Sequence, residues 1–390
     1  NVKIFSIVIA AIFIVIFFIP YTASGFAACG KLFSSLFGVN YLTAMIISAI
    51  VIVAYTTLGG FLAASTTDFI QSIIMSVALI VVLIFGVETA GGIGAVIHNA
   101  SELPGYLSMT LSYDVNTGKA APYSALTIVS TAAWGLGYFG MPHILLRFMA
   151  IEDEKKLKLS RRVATIWVVI SLFVAVFIGV IGYTMSKVGA LEMLTGSNSE
   201  TIIVKISALL SQHGVIFALL AGVILAGILA STMSTSDSQL LAASSAVSSD
   251  ILGAFRKDSS NKNGSMAAAR ITLLVISVVA AFIARNPDSS VFAIVSFAWA
   301  GFGAAFGPVV LFSLFWKRTN KWGALAGMVC GGSMVFIWKY LIRPLGGIWN
   351  IYELLPAFLI ACAAIVIVSL LTPKPSKEIE EEFDRVAQMK

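Results

Sequence analysis

The chain has 390 residues, 58% of them hydrophobic and 11% charged, with a mean hydropathy of +0.96. That composition describes an all-α polytopic membrane protein and excludes a water-soluble globule. The net charge of +6 does not point to nucleic acid, because Lys and Arg gather in short loops where membrane-topology signals sit.

Ten apolar segments are long enough, or nearly so, to cross a bilayer: 3–28, 41–58, 61–87, 124–149, 163–185, 214–245, 266–284, 291–316, 322–341 and 354–371. The chain enters the first of them directly at Asn1, with no signal-peptide architecture and no initiator Met, so it is expected to be the later part of a longer protein. Gly59 and Gly60 separate the second span from the third as a tight turn. The third span carries Ser65, Thr66, Thr67 and Asp68, which places the carboxylate about seven residues, or roughly 10 Å, from the inner end. A charge at that depth is costly unless it meets a cation or water. The outer stretch 91–123, with Pro104, Gly105 and the Asn116–Gly118 run, is expected to be a loop with a short lid-like helix.

The fourth span contains Trp134-Gly135-Leu136-Gly137-Tyr138-Phe139-Gly140-Met141-Pro142-His143. Gly137, Gly140 and Pro142 weaken a helix near mid-membrane, and a broken helix there exposes backbone dipoles to a ligand. Trp134 and Tyr138, four apart, present two rings on one face, a wall suited to a small, partly apolar solute. Close helix packing through the glycines, with the rings as core or interface anchors, is the competing reading. His143 reads as a hydrogen-bonded packing residue and Arg147, at the inner end of the span, as a snorkelling or capping residue. Residues 152–162, EDEKKLKLSRR, read as a short solvated inner helix.

The sixth span runs into LAGILASTMSTSDSQLLAASSAVSS at 225–249, whose polar residues are regularly placed. On a 3.6-residue helix Ser231, Ser234, Thr235, Ser238, Ser245 and Ser249 fall on one narrow stripe, with Asp237 at its edge about eight residues from the inner end. In lipid such a stripe faces protein or water. Hydroxyls, a carboxylate and backbone carbonyls form a hard-oxygen environment that suits a small alkali cation and not a transition metal. Single hydroxyls of this kind also serve close packing and bond back to their own helix. Asp68 and Asp237 lie at similar depth, where two carboxylates share a cation or water or else bond local hydroxyls. The eighth span carries a small-residue run from Trp299 to Pro308, fit for a hinge or for close packing.

With residue 1 inside, the inner regions and the adjoining helix ends hold 18 of the 25 Lys and Arg residues, which places both ends in the cytoplasm. Cys29, Cys330 and Cys362 lie in or beside apolar segments and the three histidines are scattered, so neither disulfides nor a metal cluster is supported. No paired acid and base or nucleophile elbow is present, which argues against an enzyme. The broken-helix aromatic pocket argues against a passive channel.

The stretches WGLGYFGMPHILLRFMA at 134–150, GGFLAASTTDFIQ at 59–71, STMSTSDSQLL at 231–241 and AWAGFGAAFGPVVLFS at 298–313 closely resemble the sodium/proline symporters of the sodium/solute symporter family, and the similarity runs over essentially the whole chain. The resemblance implies a single transmembrane transporter domain, a five-plus-five inverted-repeat fold of thirteen spans, of which the leading one and the first two of the core are not in this chain. Residues 1–90 would be the rest of the first repeat, 124–316 the second, 322–371 two trailing helices and 372–390 a cytoplasmic tail. It also implies sodium-coupled import of L-proline across the cell membrane by alternating access, with sodium as coupling ion, no other cofactor and another small solute as the alternative substrate. Ser231 matches a position giving a backbone carbonyl, and Ser234 and Thr235 positions giving hydroxyls, to the family's main sodium site. Asp68 matches an aspartate associated with sodium binding and release, and Asp68, Ser234, Asp237 and Ser238 match a second sodium site of some members. Many relatives carry Ser in place of Asp237, leaving a second ion, or a fixed charge that stabilises one ion, as alternatives. Tyr21, Trp134 and Tyr138 match proline-contacting positions, and Met141 stands where some relatives have Gln.

Overall fold

The computed structural model describes residues 2–255 and 262–388, without the side chains of 2, 3, 60–63, 255 and 262–265. Its helices, in chain order, are α1 (Val2–Phe37), α2 (Tyr41–Thr89), α3 (Ile93–Ser101), α4 (Ala125–Ala132), α5 (Pro142–Met149), α6 (Leu157–Lys187), α7 (Ile202–Leu210), α8 (Val215–Ser245), α9 (Leu252–Phe255), α10 (Lys262–Ile283), α11 (Val291–Phe315), α12 (Lys321–Ile337), α13 (Leu354–Leu371) and α14 (Lys377–Gln388). Among the described residues nine helical stretches are long and apolar enough to cross a membrane. The tenth expected span is broken: α4 passes into a 3-10 segment, Ala133–Gly140, and resumes as α5 after an extended Met141. Pro142 opens α5, where a missing N–H leaves no helical bond unmade.

Gly59 and Gly60 do not interrupt the helical backbone, which runs on through α2. The helix nevertheless doubles back there. Tyr55 hydrogen-bonds Thr67, twelve residues on, whereas a straight helix would set them roughly 18 Å apart along its axis. The two expected spans are therefore the two limbs of α2. The expected inner helix at 152–162 is not a separate element: a 3-10 turn, Glu154–Lys156, leads straight into the solvated first turns of α6. Residues 256–261 of the expected inner loop lie outside the described residues.

The outer stretch adds to the all-α reading. Beside the expected short helix, α3, it holds an antiparallel hairpin of β1 (Leu111–Asp114) and β2 (Lys119–Pro122), paired Leu111 to Pro122 and Asp114 to Lys119. Asp114 builds the turn by accepting from the Asn116 N–H at 2.9 Å and the Thr117 hydroxyl at 2.8 Å, which hold its carboxyl below the ordinary range, and Gly118 completes it at φ +65°. The tail, expected only as a charged segment, forms α14, and Asp384 pairs with Lys317 at 2.5 Å.

Two buried clusters organise the spans. In the larger, Phe17, Phe18 and Phe26 of α1 meet Trp299 and Phe302 of α11, Met328 and Val335 of α12 and Phe358 of α13. In the smaller, Ala78 and Val82 of α2 meet Val96 of α3, Ile178 and Ile181 of α6 and Ile206 of α7. Helix α8 belongs to both, through Leu240 and Ala243 in the first and Ala221 and Ile224 in the second. Lipid offers little hydrophobic drive for helices to associate, so small residues that permit close approach decide the packing. Gly323, Gly327 and Gly331 form such a row on α12: a Cβ would strike Ser369 at the first, Ile365 at the second and the Ala304 carbonyl at the third.

Candidate functional site

The polar stretch of α8 bonds to itself first. Ser231 donates its hydroxyl to the Ile228 carbonyl at 2.7 Å, and Ser234 and Thr235 both donate to the Ser231 carbonyl, at 3.3 and 3.1 Å. This is the local bonding that hydroxyls in any apolar helix adopt. Its consequence is electrostatic. With each proton directed at the backbone, the hydroxyl lone pairs face outward, and three oxygens (Ser231 O, Ser234 Oγ, Thr235 Oγ1) gather as acceptors on a half-buried face.

Asp237 is 1% exposed. Its Oδ2 accepts the Tyr55 hydroxyl at 3.0 Å, Tyr55 also meets Thr67, and the Asp237 Oδ1 is buried without a partner among the described residues. On the next residue of the other limb of α2, the Asp68 Oδ2 pairs with Arg147 while Oδ1 is buried and, among the described residues, unpartnered. Arg147 also donates to Ser65 Oγ at 2.9 Å and to Ser238 Oγ at 2.8 Å. The two carboxylates thus belong to one circuit: Tyr55 joins Asp237 to the residue before Asp68, and Arg147 joins Asp68 to the residue after Asp237. Arg147 therefore is not a snorkelling or capping residue; it reaches inward because a half-buried carboxylate and two hydroxyls offer more than the surface does.

Below this circuit opens a cavity of about 640 Å³ lined by His143, Arg147, Ser238, Ser245 and Ser249 among others. The lower part of the hydroxyl stripe therefore borders open space. Beyond Ser245 the helix widens into a π-helical turn, Ala246–Ile251, which shifts Ser249 off the ideal heptad without removing it from the cavity wall.

The aromatic residues lie on the other side of the break in the fourth span. In a 3-10 helix residues three apart eclipse, so Trp134 and Tyr138 do not share a face as they would on an α-helix. Both instead meet Trp299: Trp134 stacks on it at 5.3 Å between centroids, Tyr138 stands edge-on at 4.7 Å, and Trp299 donates its Nε1–H to the Trp134 carbonyl at 2.9 Å. Trp134 is further stacked on Phe292 at 5.4 Å and Tyr352 at 6.0 Å, while Tyr138 remains 46% exposed. Gly137 and Gly140 let α11 approach, since a Cβ on the first would overlap Trp299 and on the second the Phe302 carbonyl. Tyr21, on α1, is buried and lies edge-on to His143 at 5.9 Å, with Tyr138 within electrostatic reach. His143 Nδ1 is buried without a partner. The structure thus brings Tyr21, His143 and Arg147 into one line from the aromatic group to the carboxylate circuit. Tyr55, Thr67, Arg147 and Trp299 are the members that sequence reasoning missed. Intramembrane polarity was the available signal for Tyr55 and Arg147; Trp299 gave none beyond its place in a small-residue run.

At the far end of α1 a second charged group closes the molecule. Glu200 pairs with Lys31 at 2.7 Å and caps α11, accepting from the Ser290 hydroxyl at 2.9 Å and the Val291 and Phe292 N–H groups at 3.3 and 3.4 Å. Burial pushes the Glu200 carboxyl up, but the Lys31 ammonium and these donors outweigh it and hold it below the ordinary range.

A bundle of apolar spans with a broken helix and a carboxylate–hydroxyl circuit between them defines a polytopic helical membrane protein with a polar centre. The sequence pattern of the Sodium:solute symporter family matches residues 2–331, and the chain belongs to that family. It is 38% identical to "Osmoregulated proline transporter OpuE" of Bacillus subtilis (strain 168) over 95% of this chain and 71% of that protein. It is likewise 38% identical to a "Sodium/proline symporter" of Salmonella typhimurium over 96% of this chain and 71% of the relative. Among solved structures, a Na+-coupled sialic acid symporter in a substrate-bound outward-open state superposes with a TM-score of 0.72 at 17% identity, covering 94% of this chain and 76% of the other. That likeness shows the fold.

Proposed function

We propose that this chain is the transporter body of a sodium symporter that imports L-proline by alternating access, without covalent chemistry. The observation that carries the sodium reading is the gathering of Ser231 O, Ser234 Oγ and Thr235 Oγ1 on the helix that carries buried Asp237, which shares a circuit with half-buried Asp68; each carboxylate has one buried oxygen without a partner among the described residues. Such acceptors deep in a bundle are costly unless a small hard cation or water meets them. Ser238 and Asp68 extend the ion path into the cavity below. Proline as solute is supported by the names of relatives that match nearly the full chain. Its small ring suits the aromatic group of Trp134, Tyr138 and Tyr21, and the break at Gly137, Gly140 and Pro142 supplies backbone dipoles for its charged end.

In this reading residues 1–90 and 124–316 belong to the two inverted repeats, 322–371 to trailing helices and 372–390 to the tail. Both ends face the cytoplasm, as the distribution of Lys and Arg supports. The cavity under Arg147 is then the inward path.

Uptake of labelled L-proline into vesicles bearing the intact protein tests the proposal. An inward sodium gradient should drive accumulation, and unlabelled proline should suppress it more strongly than other amino acids, carboxylates or sugars. Failure of proline to compete sinks the substrate assignment, and uptake indifferent to sodium sinks the coupling.

A further inference from the structure

We propose that Arg147 is a tethered counter-cation that sodium must displace: the guanidinium and the ion compete for Asp68 and Ser238. The inference rests on the sodium assignment of the preceding section.

One nitrogen of Arg147, Nη2, contacts both the Asp68 Oδ2 and the Ser238 Oγ, the latter at 2.8 Å, while Nη1 holds Ser65 at 2.9 Å. That nitrogen therefore stands between a carboxylate and a hydroxyl, where a hard cation has its ligands. An arginine that served only to neutralise a carboxylate would take both of its oxygens as a fork. Here the fork reaches Asp68, Ser65 and Ser238, on α2 and α8, and among the described residues Asp68 Oδ1 is left buried without a partner.

The surroundings allow the exchange. Arg147 comes from α5, directly after the break in the fourth span, and its side chain is 36% exposed against the wall of the 640 Å³ cavity. It has room to swing aside into water. Asp68 and Asp237 in one circuit could not both stay charged without a cation nearby. When sodium is absent Arg147 supplies that charge, and the emptied carrier returns without exposing a bare carboxylate. When sodium arrives, the guanidinium moves out and the ion takes Asp68 and Ser238. A static brace that merely pins α5 to α2 and α8 would behave differently, because its loss loosens the site.

The test is a sodium titration of the purified intact protein without solute, read by intrinsic tryptophan fluorescence. Arg147→Gln, which removes the competitor, is expected to lower half-saturating sodium by about 5-fold or more. Net sodium-driven uptake should fall further than solute exchange, since only net uptake needs the empty carrier to return. Unchanged or weakened sodium binding overturns the proposal in favour of the brace. Should Arg147→Gln fail to fold, Arg147→Lys keeps the charge but cannot span all three acceptors, so half-saturation should fall by a smaller factor; no fall overturns the proposal equally. Ser234→Ala in the same titration separates the two readings. If it weakens sodium binding while the Arg147 variants fail to strengthen it, only the competition is wrong. If it changes nothing, the sodium assignment fails and takes the competition with it.

Discussion

A serine or threonine inside an apolar helix has one proton to place, and the carbonyl three or four residues back is always within reach. Ser234 and Thr235 place theirs on the same oxygen, that of Ser231. Removing either hydroxyl leaves the backbone intact but deletes one outward lone-pair donor. Ser234→Ala or Thr235→Ala is therefore expected to raise the sodium concentration for half-maximal uptake roughly 10-fold, about 1.4 kcal/mol of lost ion binding. Unchanged sodium dependence in both would count against this cluster as an ion site. The aromatic pair divides in the same residue-by-residue way. Tyr138, open on one side, is the ring available to a solute, so Tyr138→Ala should weaken proline binding by about 1 kcal/mol while sodium titration without proline stays near wild type. Trp134, stacked on three rings, should instead show a lower melting temperature on replacement by Ala. The opposite pattern, with Tyr138 silent and Trp134 decisive for binding at unchanged stability, would move the pocket.

Elements show where reading from sequence succeeds and where it stops. The weakness of the fourth span was legible, since Gly137, Gly140 and Pro142 each disfavour an α-helix; its 3-10 winding was not, because that depends on how closely α11 presses against it. Asp68 and Asp237 stood out as charges in apolar runs. Their link did not, because it passes through Tyr55 and Arg147, polar residues of separate spans that only the fold joins to the carboxylates. The hairpin left a turn signal at Asn116–Gly118, but four-residue strands of mixed polarity carry no periodicity to read. Helix α11 offers a test at this scale through its cap. Because the folded value of Glu200 is depressed, its contribution is present above the unfolded value of about 4.3 and is lost as pH falls through the folded one. The melting-temperature gap between the protein and Glu200→Gln, equivalent to about 1 kcal/mol, should be flat from roughly pH 8 to 5 and shrink below about pH 4. A gap that persists at the lowest pH would mean that Glu200 acts through its shape and not its charge.

At the scale of the whole molecule, the two clusters share α2, through Met45 and Ile52 in the larger and Ala78 and Val82 in the smaller, and they share α8. The polar stretch Ser231–Ser238 of α8 lies between its residues in the smaller cluster, Ala221 and Ile224, and those in the larger, Leu240 and Ala243. The ten-span count, with one span broken, was readable from hydropathy; the division into two packed groups was not, because apolar residues facing lipid and apolar residues facing protein look alike in a sequence.

In the proposed sodium site, the two hydrogen bonds to the Ser231 carbonyl have a consequence for ion size. Oxygens held around one cation at about 2.4 Å and near right angles lie about 3.4 Å apart, close to the 3.1 and 3.3 Å found between that carbonyl and the two hydroxyls. A larger alkali ion would need those oxygens to spread, and spreading them would break the very bonds that tie them to the helix. In that proposed site the gauge for ion size is the helical spacing of α8 itself, with hydroxyls three and four residues on from the carbonyl they share.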